Sequence, residues 1–335
     1  MPKTPSFWYN TTTWRAYVTA MLLSPASLTY RIGHRLHRAL SRPYSSTLPV
    51  ICCGNLVAGG AGKTPAALAI HKLITDHGLA SVPVFLTRGY GRRAHTTYLV
   101  RRADSGKPDA RIIGDEARLL SEYGDCIVTG DRVKGAQMAE EQGYDCIIMD
   151  DGLQNMRLSK DLTLCVIDGL NGFGNRRLLP AGPLREPLSS GLRRSDAFVL
   201  IGPDKHNVTT LLPGGKPCYS GKFAADTRHL DDNAGYIAFC GIGNPEKFRL
   251  SLETAGLHIQ ALHSYPDHHN YTTRDMERLH EDAKAHGAQL ITTEKDMMRL
   301  AAIGETEHIT TLPVQLELCG AGDLKSIVSQ TLESK

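Results

Sequence analysis

Acidic residues are missing from the first 75 positions of this 335-residue chain; the first is Asp76. Over the first fifty residues Lys3, Arg15, Arg31, Arg35, Arg38 and Arg42 stand without an acid. That segment carries +6, while the whole chain nets only +3. The remainder holds 32 basic and 35 acidic residues, so no basic surface runs along the chain and no nucleic-acid partner is expected. Long apolar runs are lacking too. Within the first fifty residues the longest charge-free stretch, Ala16 to Tyr30, is broken by Ser24, Pro25 and Ser27. It falls short of the ~20 mostly apolar residues that cross a bilayer. No small-residue cleavage pattern follows a clean apolar core, so a signal peptide is not expected. The eight cysteines lack metal or redox spacing. Cys52, Cys53, Cys146, Cys165 and Cys240 lie in apolar runs, where free cysteine acts as a small hydrophobe in a reduced, cytosolic setting. Tryptophan is scarce, and both copies, Trp8 and Trp14, fall in the basic segment.

What is present is the composition of a globular α/β protein, 41% hydrophobic with 32 glycines. The length exceeds one compact core and implies two lobes. The expected divisions are a basic amphipathic segment over 1–46, a nucleotide-binding domain over 47–225 and a smaller α/β lobe over 226–335. In the first of these, Trp14, Tyr17, Val18, Met21 and Leu22 recur at helical spacing, with Phe7, Tyr9 and Tyr30 nearby. Arg31, Arg35 and Arg38 follow on one helical face beside His34. Aromatic anchors, an apolar stripe and arginines without acids predict a helix lying in the interface of an anionic membrane. A basic helix packed on its own protein is the other reading.

The most informative stretch is GNLVAGGAGKTP, residues 54–65, between the apolar run LPVIC and the helix-spaced AALAIHKLI. A strand, a glycine-rich loop and Gly62-Lys63-Thr64 opening a helix form the layout of a phosphate-binding loop. The expected nucleotide contacts are Gly59, Gly60, Ala61, Gly62, Lys63, Thr64 and Pro65. Lys63 reaches the β/γ-phosphates and the Thr64 hydroxyl holds Mg²⁺. The strict pattern has glycine where Val57 stands, so Gly59 and Gly60 are expected to give the permissive backbone.

Further along, SVPVFLT reads as a strand running into Arg88-Gly89-Tyr90-Gly91-Arg92-Arg93, which with Arg101 and Arg102 makes an anion-attracting rim. Asp115 or Glu116 reads as the N-cap of ARLLSEYG. DCIVTG is a strand and RVKGAQMAEEQG a helix. The apolar strand ending in Asp150 and Asp151 is the expected second half of a P-loop enzyme, because paired strand-end carboxylates are costly without a cation. LTLCVID ends at Asp168, and an irregular stretch over 169–187 carries Arg176, Arg177 and Arg185 as phosphate forks. AFVLIG reads as the last strand of this domain. GYIAFCGIG, NPEKFRLSLETAG, a strand over 257–263, a helix RDMERLHEDAKAHG capped by Thr272 or Thr273, and QLITT then alternate as a smaller Rossmann-like lobe. Its GxG at 241–243 is not a dinucleotide fingerprint, since Glu246 replaces the third glycine. Asp267-His268-His269 lacks further ligands at zinc spacing.

Taken together, GNLVAGGAGKTP, TRGYGR, GDE at 114–116, DDGLQN at 150–155, GFGN with LLPAGPLREP, GIGNPEKF at 241–248, DHHNY at 267–271 and TTEKD at 292–296 resemble the tetraacyldisaccharide 4′-kinases, the lipid A 4′-kinases of Gram-negative bacteria. The loop with valine at 57 is that family's own variant. Asn155 stands where the family pattern often has histidine, and Thr87 where serine is expected. The resemblance implies ATP-dependent phosphorylation of the 4′-hydroxyl of an acylated glucosamine disaccharide 1-phosphate at the cytoplasmic face of the inner membrane. It implies Thr64, Asp150, Asp151 and Glu116 around Mg²⁺, and Arg88, Tyr90, Asn155, Arg185 and Glu186 toward the acceptor. It also implies a base formed by Asp115 with His268, preferred over His269; these residues lie in different lobes and meet on closure.

The expected fold is therefore α/β: a P-loop NTPase-like, doubly wound, mostly parallel sheet, a smaller Rossmann-like lobe and an N-terminal amphipathic membrane-surface helix. A kinase acting on a soluble phosphosugar and a membrane-recruited nucleotide switch are the competing functions. The missing guanine-reading Asn-Lys-x-Asp string weakens the GTP form of the switch.

Overall fold

The computed structural model describes residues 5–335 except 11–12, 93–95, 105, 107, 109, 232, 244, 268 and 302, and at 34, 35, 37, 111 and 321 the backbone alone. The strands are β1 Val50–Gly54, β2 Pro83–Thr87, β3 Tyr98–Val100, β4 Cys126–Val128, β5 Cys146–Asp150, β6 Leu162–Asp168, β7 Ala197–Ile201, β8 Cys218–Ala225, β9 Gly235–Cys240, β10 His258–Ser264, β11 Gln289–Thr293, β12 Ile309–Leu312 and β13 Val314–Cys319. The helices are α1 Trp14–Leu40, α2 Lys63–Asp76, α3 Ala110–Ile113, α4 Asp115–Tyr123, α5 Arg132–Glu141, α6 Leu188–Arg194, α7 Pro245–Thr254, α8 Thr273–His286, α9 Glu294–Ala301 and α10 Ala321–Glu333.

Nine strands form one sheet in the order β13-β8-β7-β6-β1-β5-β2-β4-β3. Its interior pairs are parallel, and β3 and β13 close the two edges antiparallel. The central strands are covered on both faces, which is why they read as continuous apolar runs. Ile51, Cys53, Phe85 and Ile148 pack with Ala66, Ala67 and Ile70 of α2. Their alternates Val50, Cys52, Ile147 and Met149 pack with Ala136 and Ala139 of α5 on the opposite face. Burying each such Val, Leu or Ile contributes about 1.5–3 kcal/mol. Parallel neighbours align their carboxyl ends, so the outcome is one edge on which the loops after β1, β5 and β6 converge.

The second sheet, β10-β9-β11-β12, is parallel throughout. Thr272, one of the two caps expected, closes α8 in a reciprocal box with Asp275. One expected boundary is corrected. The smaller lobe does not run to residue 335, because β13 pairs with β8 and α10 packs on α2. Likewise β7 is not the last strand of the large sheet; β8 and β13 extend it.

Helix α1 runs unbroken through Pro25 for 27 residues. Its small residues Ala16, Ala20 and Ser27 face the protein, while Trp14 (71% exposed) and Leu22 (76%) face outward with Tyr17, Met21, Leu28, Ile32 and Leu36. It rests on the loop over 169–187. Ser27 donates to Leu178 O (2.9 Å), Tyr30 to Arg185 O (2.9 Å), and Arg177 to Ser24 Oγ (2.8 Å). Among the described residues no helix is long and apolar enough to cross a membrane.

Candidate active site

The loop after β1 turns through Gly59 (φ 113°) and Gly62 (φ 86°), conformations that disfavour any side chain. A Cβ on Gly62 would also meet Ile201 Cδ1 at 2.5 Å. Gly62 is the N-cap of α2, so Lys63 and Thr64 open the helix where unpaired amides and the dipole favour an anion. Thr64 donates its hydroxyl to Asp150 Oδ2 at 3.0 Å. Lys63 donates to Gly59 O (3.3 Å), and its ammonium lies 3.8 Å from Asp151. The register beneath explains the meeting, since Cys53 of β1 lies beside Asp150 of β5.

Two neighbouring carboxylates are driven apart. Asp150 is fully buried, and burial, then Glu116 and Asp151, push its pKa up to about 7. Burial acts on Asp151 in the same sense, but Lys63 and Arg185 hold its pKa below the ordinary value. Arg185 reaches both Asp151 oxygens, at 2.8 and 3.0 Å. Asp151 takes a left-handed backbone (φ 54°), uncommon outside glycine. Asp150 Oδ1 is buried with no hydrogen-bond partner among the described residues. An orphaned carboxylate oxygen, a hydroxyl and a second carboxylate are the hard-oxygen donors that a divalent cation takes, so these residues fit Mg²⁺.

The other expected residues divide. Gly114 (φ 94°) is the N-cap of α4, so neither Asp115 nor Glu116 caps it; both stand in its first turn. Arg88 and Tyr90 are exposed at the rim. Glu186 is corrected. It is wholly buried, and its carboxylate accepts from Arg194 (2.7 and 2.9 Å) and Gln154 (3.1 Å), so it braces the 169–187 loop instead of facing an acceptor. Asn155 accepts from its own turn, from the backbone of Arg157 and Leu158 at 3.0 Å each. An amide oxygen performs that task without a proton equilibrium. His268 lies outside the described residues. His269 stacks on Tyr265 and bonds Asp275 (3.1 Å), which is local packing.

Sequence reading missed the cations that meet these acids. Arg132 is buried, with its guanidinium on Thr129 O, and its charge is felt by Asp150 and Asp151. Burial lowers its pKa to about 10. A cation in the first turn of a helix opposes the dipole, and that was the available signal. From the small lobe, Arg299 bonds Asp115 (2.6 Å), Lys295 lies 3.7 Å from Glu116, and Lys247 bonds Asp168 (2.8 Å). Tyr123 also donates to Glu294 at 2.8 Å.

The model of the family described as tetraacyldisaccharide-1-P 4′-kinase matches residues 19–333. The chain belongs to that family. A tetraacyldisaccharide 4′-kinase of Rhodospirillum centenum is 37% identical, covering 99% of this chain and 98% of its own length. One of Gluconacetobacter diazotrophicus is 43% identical over 84% of each. Among solved structures, "apo" form LpxK of Aquifex aeolicus in complex with ATP aligns with a TM-score of 0.77 at 27% identity, covering 93% of this chain and 99% of that one. The mostly parallel α/β architecture of this tetraacyldisaccharide 4′-kinase family member agrees with that neighbour.

Proposed function

We propose that this chain is a tetraacyldisaccharide 4′-kinase of lipid A biosynthesis that transfers the γ-phosphate of ATP to the 4′-hydroxyl of a tetraacylated glucosamine disaccharide 1-phosphate. Family membership supports the activity. The observation that carries the mechanism is the Thr64–Asp150 bond, which joins the phosphate-binding loop to the strand-end carboxylate. Gly59, Gly60, Ala61, Gly62 and Pro65 shape the loop, and Lys63 stabilises charge on the transferring phosphate. Thr64, Asp150 and Asp151, with Glu116 nearby, would hold Mg²⁺, which neutralises phosphate charge when bound. Asp115, assisted by His268, takes the proton of the attacking hydroxyl. Arg185, Arg88 and Tyr90 face the anionic acceptor.

Closure of the smaller lobe completes this arrangement and keeps water from ATP. The exposed apolar face of α1 and its arginines seat the enzyme on the anionic cytoplasmic face of the inner membrane as a peripheral protein. The test is incubation with γ-labelled ATP, Mg²⁺ and a crude Gram-negative lipid extract. Label in an organic-extractable product is expected; label released only as inorganic phosphate overturns the reading.

A further inference from the structure

Helix α9 of the small lobe lies against α4 of the large one, and the buried Arg299 reaches across that contact. The guanidinium is fixed from its own side. Nη1 donates to Asp296 Oδ1 (2.7 Å) and to the Gly241 carbonyl (2.8 Å). Asp296 is itself wholly buried, and its other oxygen accepts from the Gly241 amide (3.1 Å) and the Thr293 hydroxyl (2.7 Å). A seat made of two elements, β11–α9 and the turn after β9, leaves the planar fork one direction in which to point. In that direction lies Asp115, whose Oδ2 accepts from both Nε (2.8 Å) and Nη2 (2.6 Å) across 184 residues of sequence.

We propose that Arg299, seated on Asp296, is a positioning residue that aims the Asp115 carboxylate at the acceptor hydroxyl once the lobes meet. The inference rests on the reading of Asp115 as the base. The charges are compatible with that chemistry. Asp296 already balances the guanidinium, so the set Asp296–Arg299–Asp115 keeps one net negative charge with which to accept a proton. Two donors from one planar fork hold Oδ2 in place from two directions, which a single cationic point does not. Because the seat belongs to one lobe and the carboxylate to the other, the base is oriented only when the small lobe is in place.

The test compares kcat and the KM for ATP of R299M, R299K, D115N and the double variant D115N/R299M. R299M is expected to lower kcat about 30–100-fold, as misplacement of a reacting group does, with the KM for ATP within about 2-fold. R299K keeps the charge and not the fork, and is expected between R299M and wild type. In the D115N background R299M is expected to add less than about 3-fold, because the two act as a unit. An R299M loss of equal size in both backgrounds makes Arg299 a strut between lobes and overturns the proposal. Wild-type kcat in R299M while D115N is crippled overturns it too, and leaves the base reading standing. Wild-type kcat in D115N overturns both. Should R299M not fold, R299K against D115N carries the same comparison, and wild-type kcat in R299K overturns the proposal.

Discussion

The large lobe sets acids at the ends of wholly buried strands, and the small lobe brings cations to them that range from the buried Arg299 to the part-exposed Lys295. Strands β1, β5 and β6 are buried throughout, and Asp150 at the end of β5 is wholly buried. Strand β10 is half-buried or exposed along its whole length. The charges are divided as well. At this site the large lobe presents Asp115, Glu116, Asp150, Asp151 and Asp168, and the small lobe brings Lys247, Lys295 and Arg299 to three of them. On the proposed reading the large lobe alone would bind phosphates and a metal, and the small lobe's cations would balance three of its acids. Substitutions in the two lobes should separate along that line.

The largest effect is expected at the loop. Lys63→Ala and Thr64→Ala should each lower kcat by about 10³-fold or more, since transition-state charge loses its preorganised partner. The fold should persist, because the strands beneath pack through other side chains. Near-normal turnover in a folded Lys63→Ala protein ends the phosphate-loop assignment.

Next come the paired carboxylates, where the comparison sharpens within one lobe. Asp150→Asn and Asp151→Asn should both cut kcat by about 10²-fold or more through the metal. Their stabilities should move in opposite directions. Asp150 has a raised folded-state pKa, so the folded protein binds its proton more tightly than the unfolded chain does. Metal-free stability is therefore lost as pH rises from the ordinary carboxylate range through about 7. Asp150→Asn should raise the metal-free Tm at pH 8 and flatten that slope. Asp151→Asn, which strips Lys63 and Arg185 of their carboxylate, should lower it. Equal Tm shifts in thermal scans without Mg²⁺ would contradict the assigned environments.

How far the sequence foretold all this follows from where each residue lies. β1, β5, β6 and β7 were legible because parallel strands covered on both faces leave unbroken apolar runs. The loop, Thr64 and the two aspartates were legible because their chemistry needs neighbouring residues. β8 was hidden in a stretch containing Gly221 and Lys222, and its partner β13 returns from some ninety residues downstream, a pairing no local pattern announces. The cations were hidden for the same reason. Nothing near Asp115 names Arg299. Glu186 misled because the resemblance set it toward the acceptor with Arg185, whereas the fold buries its carboxylate on Arg194 and Gln154.

Helix α1 belongs to neither side of the comparison and offers a cleaner version of it. Met21→Ser with Leu22→Ser alters only the outward face. Sedimentation with anionic vesicles should fall at least about tenfold, since two apolar side chains leave the interface, while the Tm and the KM for ATP stay put. Ser27→Leu alters the inward face, where the hydroxyl bonds Leu178 and receives the Ala181 amide, and should lower Tm instead. Unchanged sedimentation in the first variant would make the outward face something other than a membrane surface.

The smallest effects are expected among the remaining small-lobe cations, and burial ranks them. Lys247 meets Asp168 at 2.8 Å, with the carboxylate 6% exposed and the ammonium 22%. Removing the cation leaves a nearly buried charge, but Asp168 still accepts from the Leu170 amide and the Asn171 side chain. Lys247→Met should therefore cost about 1–2 kcal/mol, below the 3–5 of a pair left bare. Lys295 lies 3.7 Å from Glu116, with both side chains more than a quarter exposed. Water and salt screen that pair, so Lys295→Met should cost less than about 1 kcal/mol and vanish as a difference at high ionic strength. Denaturant melts of both variants at low and high salt decide it. If Lys295→Met proves the more damaging, the acid pair at the start of α4 depends on the small lobe's charge at a distance, and burial is the wrong ranking.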